Sequence, residues 1–424
     1  MSTSAYQFGY KENFSTSLCS FLVSETIQYY KSHGSNVYMV LLDCTKAFDK
    51  IQHTKLFKTL IEKDICPSII RLIMNSYTMS TAVVKWNKST SVSFQINNGV
   101  KQGGVISAPL FAMYIDPLLN KLNNSQQGCY IGHLAANAFG YADDIVLLSP
   151  SCKALKNLIL ICEKFAVEYK LNFNPQKCKI LVYSIIEIDP DDISITIGGH
   201  KMEVVDSEKH LGHTFQTKND IINIENIIKD IRIRTNVIIN KFRPISWHAK
   251  VTLFLSQCSS LYGCQLWNLE DPMVNRLSTT WRVCNRNILG LDPKTRSYLL
   301  PQIMDTLPIK DIIMCRSLNF FIGGLKHDNK VISDFFKNTL LSNSSYMLTN
   351  INTIINKYKF NFQDLFNLNK AKIKKVIKNY NDEQDWRGNI IKELLDIREN
   401  HLNSNLDPNE VKDRLHYICT YRDD

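Results

Sequence analysis

Tyr141-Ala142-Asp143-Asp144 sits between two apolar stretches, residues 135–139 and 145–148, and reads as strand, tight turn, strand. The two carboxylates fall at the tip of the expected hairpin. Adjacent like charges repel, so folding gains nothing by placing them together. A divalent cation supplies a reason, because Mg2+ is a hard ion held by one or two carboxylates together with substrate phosphates. A solvated Asp-Asp turn is the other reading these four residues allow.

About 100 residues upstream, the apolar run 37–42 has the length of a buried strand and ends at Asp43. A buried strand ending in a carboxylate can aim it at the hairpin tip, assembling three carboxylates, two of them from one turn. That set suits a two-metal site, which clamps the attacking and leaving oxygens of an in-line phosphoryl displacement. Asp43 also fits a helix N-cap, since residues 45–57 have helical character, and the two roles are compatible.

Around these segments the chain alternates strands and helices. Residues 17–31 and 54–79 read as helical, the second interrupted near Cys66-Pro67, and residues 81–96 read as a hairpin turning near Asn87-Lys88-Ser89. Helices are expected over 109–122, with a proline at the start, and over 153–170, where Leu155, Leu158, Ile159, Cys162, Phe165 and Ala166 form one apolar stripe. Asn174-Pro175 then turns the chain into a strand over 178–184. Mixed elements with antiparallel hairpins make the first half α+β. Beyond residue 220 the chain reads mainly helical, punctuated by Pro244, Pro272, Pro293, Pro301 and Pro308, with boundaries expected near 220 and 300.

Several ordered motifs extend the pattern. They are Gln7-Phe-Gly-Tyr-Lys11 followed by Ser15-Thr16, Asp43 with Lys46-Ala-Phe-Asp49, Asn98-Gly-Val-Lys-Gln-Gly-Gly-Val-Ile-Ser-Ala-Pro-Leu-Phe111, the Asp143-Asp144 turn, Leu171-Asn-Phe-Asn-Pro-Gln-Lys177, and His210-Leu-Gly-His-Thr-Phe215. In order and spacing they resemble the reverse transcriptases of non-LTR (LINE-type) retrotransposons, most of all the jockey-like elements of animals. The resemblance spans roughly residues 6–220. It continues more loosely to about residue 325, through Tyr262-Gly-Cys-Gln-Leu-Trp267 and Leu299-Leu-Pro301.

The resemblance implies a right-hand polymerase of α+β class. Partial fingers and a palm of antiparallel sheet with packed helices would occupy 1–220, a helical thumb-like region 221–300, and a helical region of unassigned role 301–424. It implies RNA-directed DNA polymerase activity on an RNA template, a DNA primer and dNTPs. Two Mg2+ ions, replaceable by Mn2+, would sit on Asp43, Asp143 and Asp144. Phe48 would pack under the sugar and exclude a 2′ hydroxyl. Gln102 and Gly103 would lie near the templating base and nucleotide, and Lys11 at the triphosphate. Lys177 would act as general acid for the leaving pyrophosphate, with Lys179 the competing candidate on the same strand face. Gly104 and Ala108 stand where many relatives carry Asp or Ser, and Pro. The chain starts almost at the second fingers motif, so a copy truncated at its N-terminus is expected, and a catalytically silent nucleic-acid-binding remnant is the alternative. An intron maturase-like protein fits the motifs less well.

Composition agrees with these expectations without deciding them. The chain carries 50 Lys and Arg against 40 Asp and Glu, a net charge of +10 that favours polyanionic partners. Twelve cysteines contain no C-x-x-C pair, which argues against a zinc ribbon and against a disulfide scaffold, and points to a reducing intracellular compartment, nuclear or cytoplasmic. No apolar run approaches the ~20 residues of a membrane helix, and nothing points to a specific protein partner. The basic run Lys370-Ala-Lys-Ile-Lys-Lys375 with Lys378 suits either phosphate contact or a solvated face. Arg276, Arg282 and Arg286 fit a thumb helix along a nucleic-acid backbone or a solvated face, and Trp267 and Trp281 fit stacking or core packing.

Overall fold

The apolar run Val37–Leu42 forms the central strand of a five-stranded sheet, and all six of its residues are buried. The computed structural model describes residues 3–184, 189, 193–217, 224–342, 345–361, 365, 367–381, 386–399 and 407–420. We label the sheet strands β1 (Val37–Leu42), β2 (Ala138–Tyr141), β3 (Asp144–Ser149), β4 (Lys179–Tyr183) and β5 (Glu203–Val204). Their order is β5-β4-β1-β3-β2, antiparallel throughout except for the short β4–β5 pair. The fold is α+β, as expected.

Alternation along β1 separates its two faces. Tyr38, Val40 and Leu42 join a core built with the helices His53–Glu62, Pro67–Thr78, Ser107–Asn123 and Cys152–Tyr169. The apolar stripe read from the sequence of the last helix is buried, and it is extended by Tyr169. Ser151 caps that helix by accepting a hydrogen bond from the Ala154 N–H. On the sheet's other side, the helix Thr16–Ser32 stacks Phe21 on Phe336 of the helix Lys330–Leu341, with ring centroids 4.3 Å apart. Phe335 of the same helix meets Phe139 of β2 edge-on.

The hairpin expected over 81–96 is present as two short ladders, Thr81–Ala82 with Phe94–Gln95 and Lys85–Trp86 with Ser89–Thr90, and Asn87 takes a positive φ at its turn. The helical stretch expected over 54–79, with its interruption near Cys66-Pro67, is present as the two helices His53–Glu62 and Pro67–Thr78.

Two units compose the chain. The first holds residues 1–221 and 327–345, the second residues 222–326 and 346–424. The boundary expected near residue 220 falls on 218–223, outside the described residues. The helix Lys330–Leu341 thus belongs to the first unit although it lies deep in the helical second half of the sequence. The second unit is helical. Pro272 opens one of its helices and Pro308 caps another, while Pro301 lies within the short helix Leu299–Ile303.

Candidate active site

The antiparallel register of β1 and β3 pairs Leu42 with Ile145, so Asp43 leaves the sheet beside Asp144. β2 and β3 form the expected hairpin, with Tyr141 paired to Asp144 and Ala142-Asp143 at its tip. Ala142 adopts φ 58°, a left-handed conformation uncommon for a residue with a Cβ.

The turn is braced from the start of the chain. The buried Gln7 accepts hydrogen bonds from the backbone N–H of Ala142 at 3.0 Å and of Gly9 at 2.9 Å, and its amide nitrogen lies 3.4 Å from the Ala142 carbonyl. The flanking backbone is tied to β2: Phe8 N–H donates to the Gly140 carbonyl and Gly140 N–H to the Tyr6 carbonyl. Gly9 lies so close beneath the turn that a Cβ there would stand 2.6 Å from the Ala142 nitrogen.

A second brace holds Asp43. The segment after the helix Cys152–Tyr169 runs alongside the end of β1: Thr45 N–H donates to the Asn172 carbonyl, and Asn174 N–H to that of Asp43. The Asn174 side chain accepts from Gln176 N–H and shapes the turn that presents Lys177. The Lys177 ammonium stands 3.7 Å from the Asp43 carboxylate, and both side chains are substantially exposed. Such a pair contributes little to stability and leaves Lys177 free to move. Lys179, two residues on, is instead ion-paired with Glu203 of β5.

A cavity of about 430 Å3 opens here, lined by Asp43, the 44–48 turn, Gln102, Asp143, Asn174 and Lys177. One face of Phe48 borders it, while the ring stacks on Phe111 with centroids 4.8 Å apart and planes inclined by 11°. Gln102 donates to the Asp49 carboxylate at 3.1 Å. Gly103 has φ +78° and open space where a Cβ would project. Of the residues singled out from sequence, Asp43, Asp143, Phe48, Gln102 and Lys177 share this cavity. Asp144 stands next to it in the hairpin, and Gly103 beside Gln102. Lys11 does not line it: its ammonium donates to the Ser4 carbonyl at 2.6 Å and lies over the Phe14 ring, and burial pushes its pKa down to about 8. Sequence reasoning read Asn174 only as a turn residue and missed the brace from Gln7; both lie within quoted motifs, but only the fold shows what they touch.

The electrostatics reflect three carboxylates at one sheet end. Burial raises the Asp144 carboxyl to about 6, and repulsion from Asp143 and Asp43 adds to it. Asp143 is raised too, by burial first, with Asp43 contributing. Among the described residues no group of three or more His, Cys, Asp or Glu is arranged to enclose a metal ion. Carboxylates crowded at an open tip are hard oxygen donors that fit Mg2+, which needs only one or two of them when substrate phosphates complete its shell.

The raised Asp144 carboxyl sets a pH dependence for the metal-free chain. The native state holds this proton up to about pH 6, whereas the unfolded carboxyl releases it near 3.8. Stability from this group is therefore lost as pH rises through that interval and stays lost above it. With EDTA present, Asp144→Asn is expected to remove roughly 1–2 kcal/mol of the loss between pH 4.5 and 7.5, after discounting for its partial exposure. Thermal unfolding at both pH values checks this; an Asn variant with the wild-type pH slope would contradict it.

The profile of the reverse transcriptase (RNA-dependent DNA polymerase) family matches residues 1–215. The chain belongs to that family. A Pol polyprotein from the type-1 retrotransposable element R2 of Popillia japonica is 25% identical over 296 residues, covering 66% of this chain and 47% of that protein. The Pol polyprotein from the type-2 element R2DM of Drosophila melanogaster is 29% identical over 157 residues, covering 37% and 15%. The chain thus spans less than half the length of either relative. These relatives come from R2 elements, in line with the non-LTR resemblance read from the motifs. Among solved structures, apo telomerase from Candida tropicalis aligns over 85% of this chain and 56% of that one, with a TM-score of 0.37 and 15% identity. No helix among the described residues is long and apolar enough to cross a membrane.

Proposed function

We propose that the Asp43–Asp143 cavity is the nucleotidyl-transfer centre of an RNA-directed DNA polymerase, extending a DNA primer with dNTPs on an RNA template. The observation that carries this reading is the convergence of Asp43, Asp143 and Asp144 at one end of the sheet, beside a cavity also bordered by Phe48, Gln102 and Lys177. Two Mg2+ ions, or Mn2+, held on Asp43 and Asp143 with Asp144 adjacent, would lower the pKa of the primer 3′ hydroxyl and neutralise the triphosphate.

The chain's own residues do the rest. The braced turn fixes Asp143, and the Asn172–Asn174 segment fixes the Asp43 backbone, so neither carboxylate must be ordered when substrate arrives. Lys177, loosely paired and facing the cavity, is the better-placed of the two lysines to give a proton to the departing pyrophosphate. Lys179 is engaged by Glu203. Gln102, tied to Asp49, and the bare backbone of Gly103 offer a surface that a nucleotide can approach closely. Lys11 would have to release the Ser4 carbonyl to reach a triphosphate. The matched region serves as palm with fingers, and the helices after residue 222 as a thumb and C-terminal region. All twelve cysteines are free thiols, which suits a reducing compartment.

Phe48 tests the reading at the level of substrate. Its ring is clamped against Phe111, so its exposed face is a fixed wall. Phe48→Val is expected to move the rNTP-to-dNTP incorporation ratio toward rNTP by about tenfold or more, since relieving a clash of this size is worth about 1.4 kcal/mol or more. Single-nucleotide incorporation measures this. An active variant with an unchanged ratio would confine Phe48 to core packing.

A further inference from the structure

The second unit contains a cleft of about 1680 Å3, formed by the helices Pro272–Leu289, Ile309–Leu325, Lys370–Asn381 and Trp386–Glu399 with the segment around Tyr298. Seven cationic side chains line it, against one carboxylate, Asp305, which is already paired with Lys392 at 2.7 Å. The other six are Arg282, Lys310, Arg316, Lys370, Lys374 and Lys378. None of them lies within ion-pair distance of a carboxylate among the described residues. Arg282 donates to the Ser278 carbonyl and the Thr279 hydroxyl, Arg316 to the Ser259 and Ser260 carbonyls, and Lys310 to the Asn275 amide oxygen. Every such partner is neutral, so the arginines are held in place with no carboxylate among the described residues to offset their charge.

Folding does not explain the lysines. Lys370, Lys374 and Lys378 recur every four residues along one exposed helix face, a like-charge spacing that weakens a helix. They begin at its N-terminal residue, where the helix dipole also disfavours cations. Ile373 and Ile377 alone bury that helix's apolar side. Among the described residues no carboxylate offsets these lysines, whereas an anion entering the cleft would.

We propose that this cleft binds a single-stranded nucleic-acid segment through its sugar–phosphate backbone. Its volume exceeds the roughly 300–1,000 Å3 of a small-molecule site, which favours a polymer segment over a single nucleotide or an inorganic anion. The lysines climb the helix by ~6 Å per step, comparable with the separation of successive phosphates along an extended strand. Tyr298 is 49% exposed at the cleft wall and presents a ring on which a base can stack. The reading does not depend on polymerase activity in the first unit.

The test uses the full chain and a fluorescein-labelled single-stranded RNA 12-mer carrying 4-thiouridine. Anisotropy titrations between 50 and 200 mM salt are read beside photocross-links mapped by peptide mass spectrometry. We expect cross-links on peptides containing Tyr298 or Lys374. The triple variant Lys370→Gln/Lys374→Gln/Lys378→Gln is expected to lose them and to show a salt slope shallower by about 2, from three phosphate contacts at ~0.7 each. The triple Lys→Arg variant should keep both properties. A DNA 12-mer bound equally well identifies the shared backbone as what is read, whereas a preference for RNA adds the 2′ hydroxyl. Wild-type cross-links confined to other regions, or a Lys→Gln variant with the wild-type slope, would overturn the assignment. So would equal or tighter binding of a duplex through the same lysines, or displacement of the strand by tripolyphosphate at equal concentration.

Discussion

Asp143→Asn should reduce templated primer extension by about 10^3-fold or more while leaving the chain folded. Replacing a metal-holding carboxylate by a neutral amide removes several kcal/mol of stabilisation where charge develops, and each 1.36 kcal/mol is a factor of ten in rate. The same substitution cannot harm the metal-free fold by loss of an ion pair. Asp143 faces other carboxylates, and its raised pKa records a charge that burial already disfavours. With EDTA present, Tm should therefore be unchanged or slightly higher than in the wild type. The combination of collapsed activity with undiminished stability separates a functional carboxylate from a solvated turn. Extension within a few-fold of wild type would leave Asp143 outside the chemistry.

Gly9→Ala should lower kcat by about 100-fold with much less effect on the KM for dNTP, although residue 9 is not among those lining the cavity. A methyl group there would stand 2.6 Å from a backbone nitrogen, which cannot swing aside as a flexible side chain does. The turn carrying Asp143 must shift by about 0.8 Å to bring that 2.6 Å separation to ordinary contact at 3.4 Å, or Gln7 must release it. Misplacement on the scale of an ångström is enough to cost about 10^2 in rate. Overpacking of this kind also costs roughly 1–3 kcal/mol, so Tm should fall by several degrees. Gly323→Ala is the matched control: it lies in a helix with nothing within 4 Å of the new methyl. Helix propensity predicts that it is neutral or stabilising. Steady-state kinetics and thermal unfolding of both variants test the brace. If Gly9→Ala behaved like Gly323→Ala, the contact beneath the turn would carry no functional weight.

What the sequence made legible was local. The Asp143-Asp144 turn, the buried strand before Asp43 and the stripe of the helix Cys152–Tyr169 each follow from the spacing of apolar and charged residues over a few turns or pleats. They appear within a residue or two of where they were expected. Features that depend on distant pairing were not legible. Gln7 contacts Ala142 across 135 positions, and nothing in either neighbourhood announces it. Lys177 and Lys179 look alike from a two-residue spacing. They separate only because β5 brings Glu203 beside Lys179 while the Asn174 turn brings Lys177 to Asp43. Lys11 carried a charge suited to phosphate, but the fold covers it with Phe14 and the Ser4 carbonyl. The helix Lys330–Leu341 has an ordinary amphipathic pattern, and no periodicity could assign it to the first unit rather than the second. The basic run at 370–378 was ambiguous for the same reason. Its meaning depends on Arg282, Lys310 and Arg316, which other helices contribute.

The most direct test of the central claim is extension of a labelled oligo(dT) primer on poly(rA) by the purified chain, with Mg2+ and then Mn2+, wild type beside Asp43→Asn. The account predicts dTTP-dependent, metal-dependent products from the wild type and none above background from the variant. Equal products from the two proteins, or no metal-dependent extension by a wild type that binds the hybrid, would contradict it.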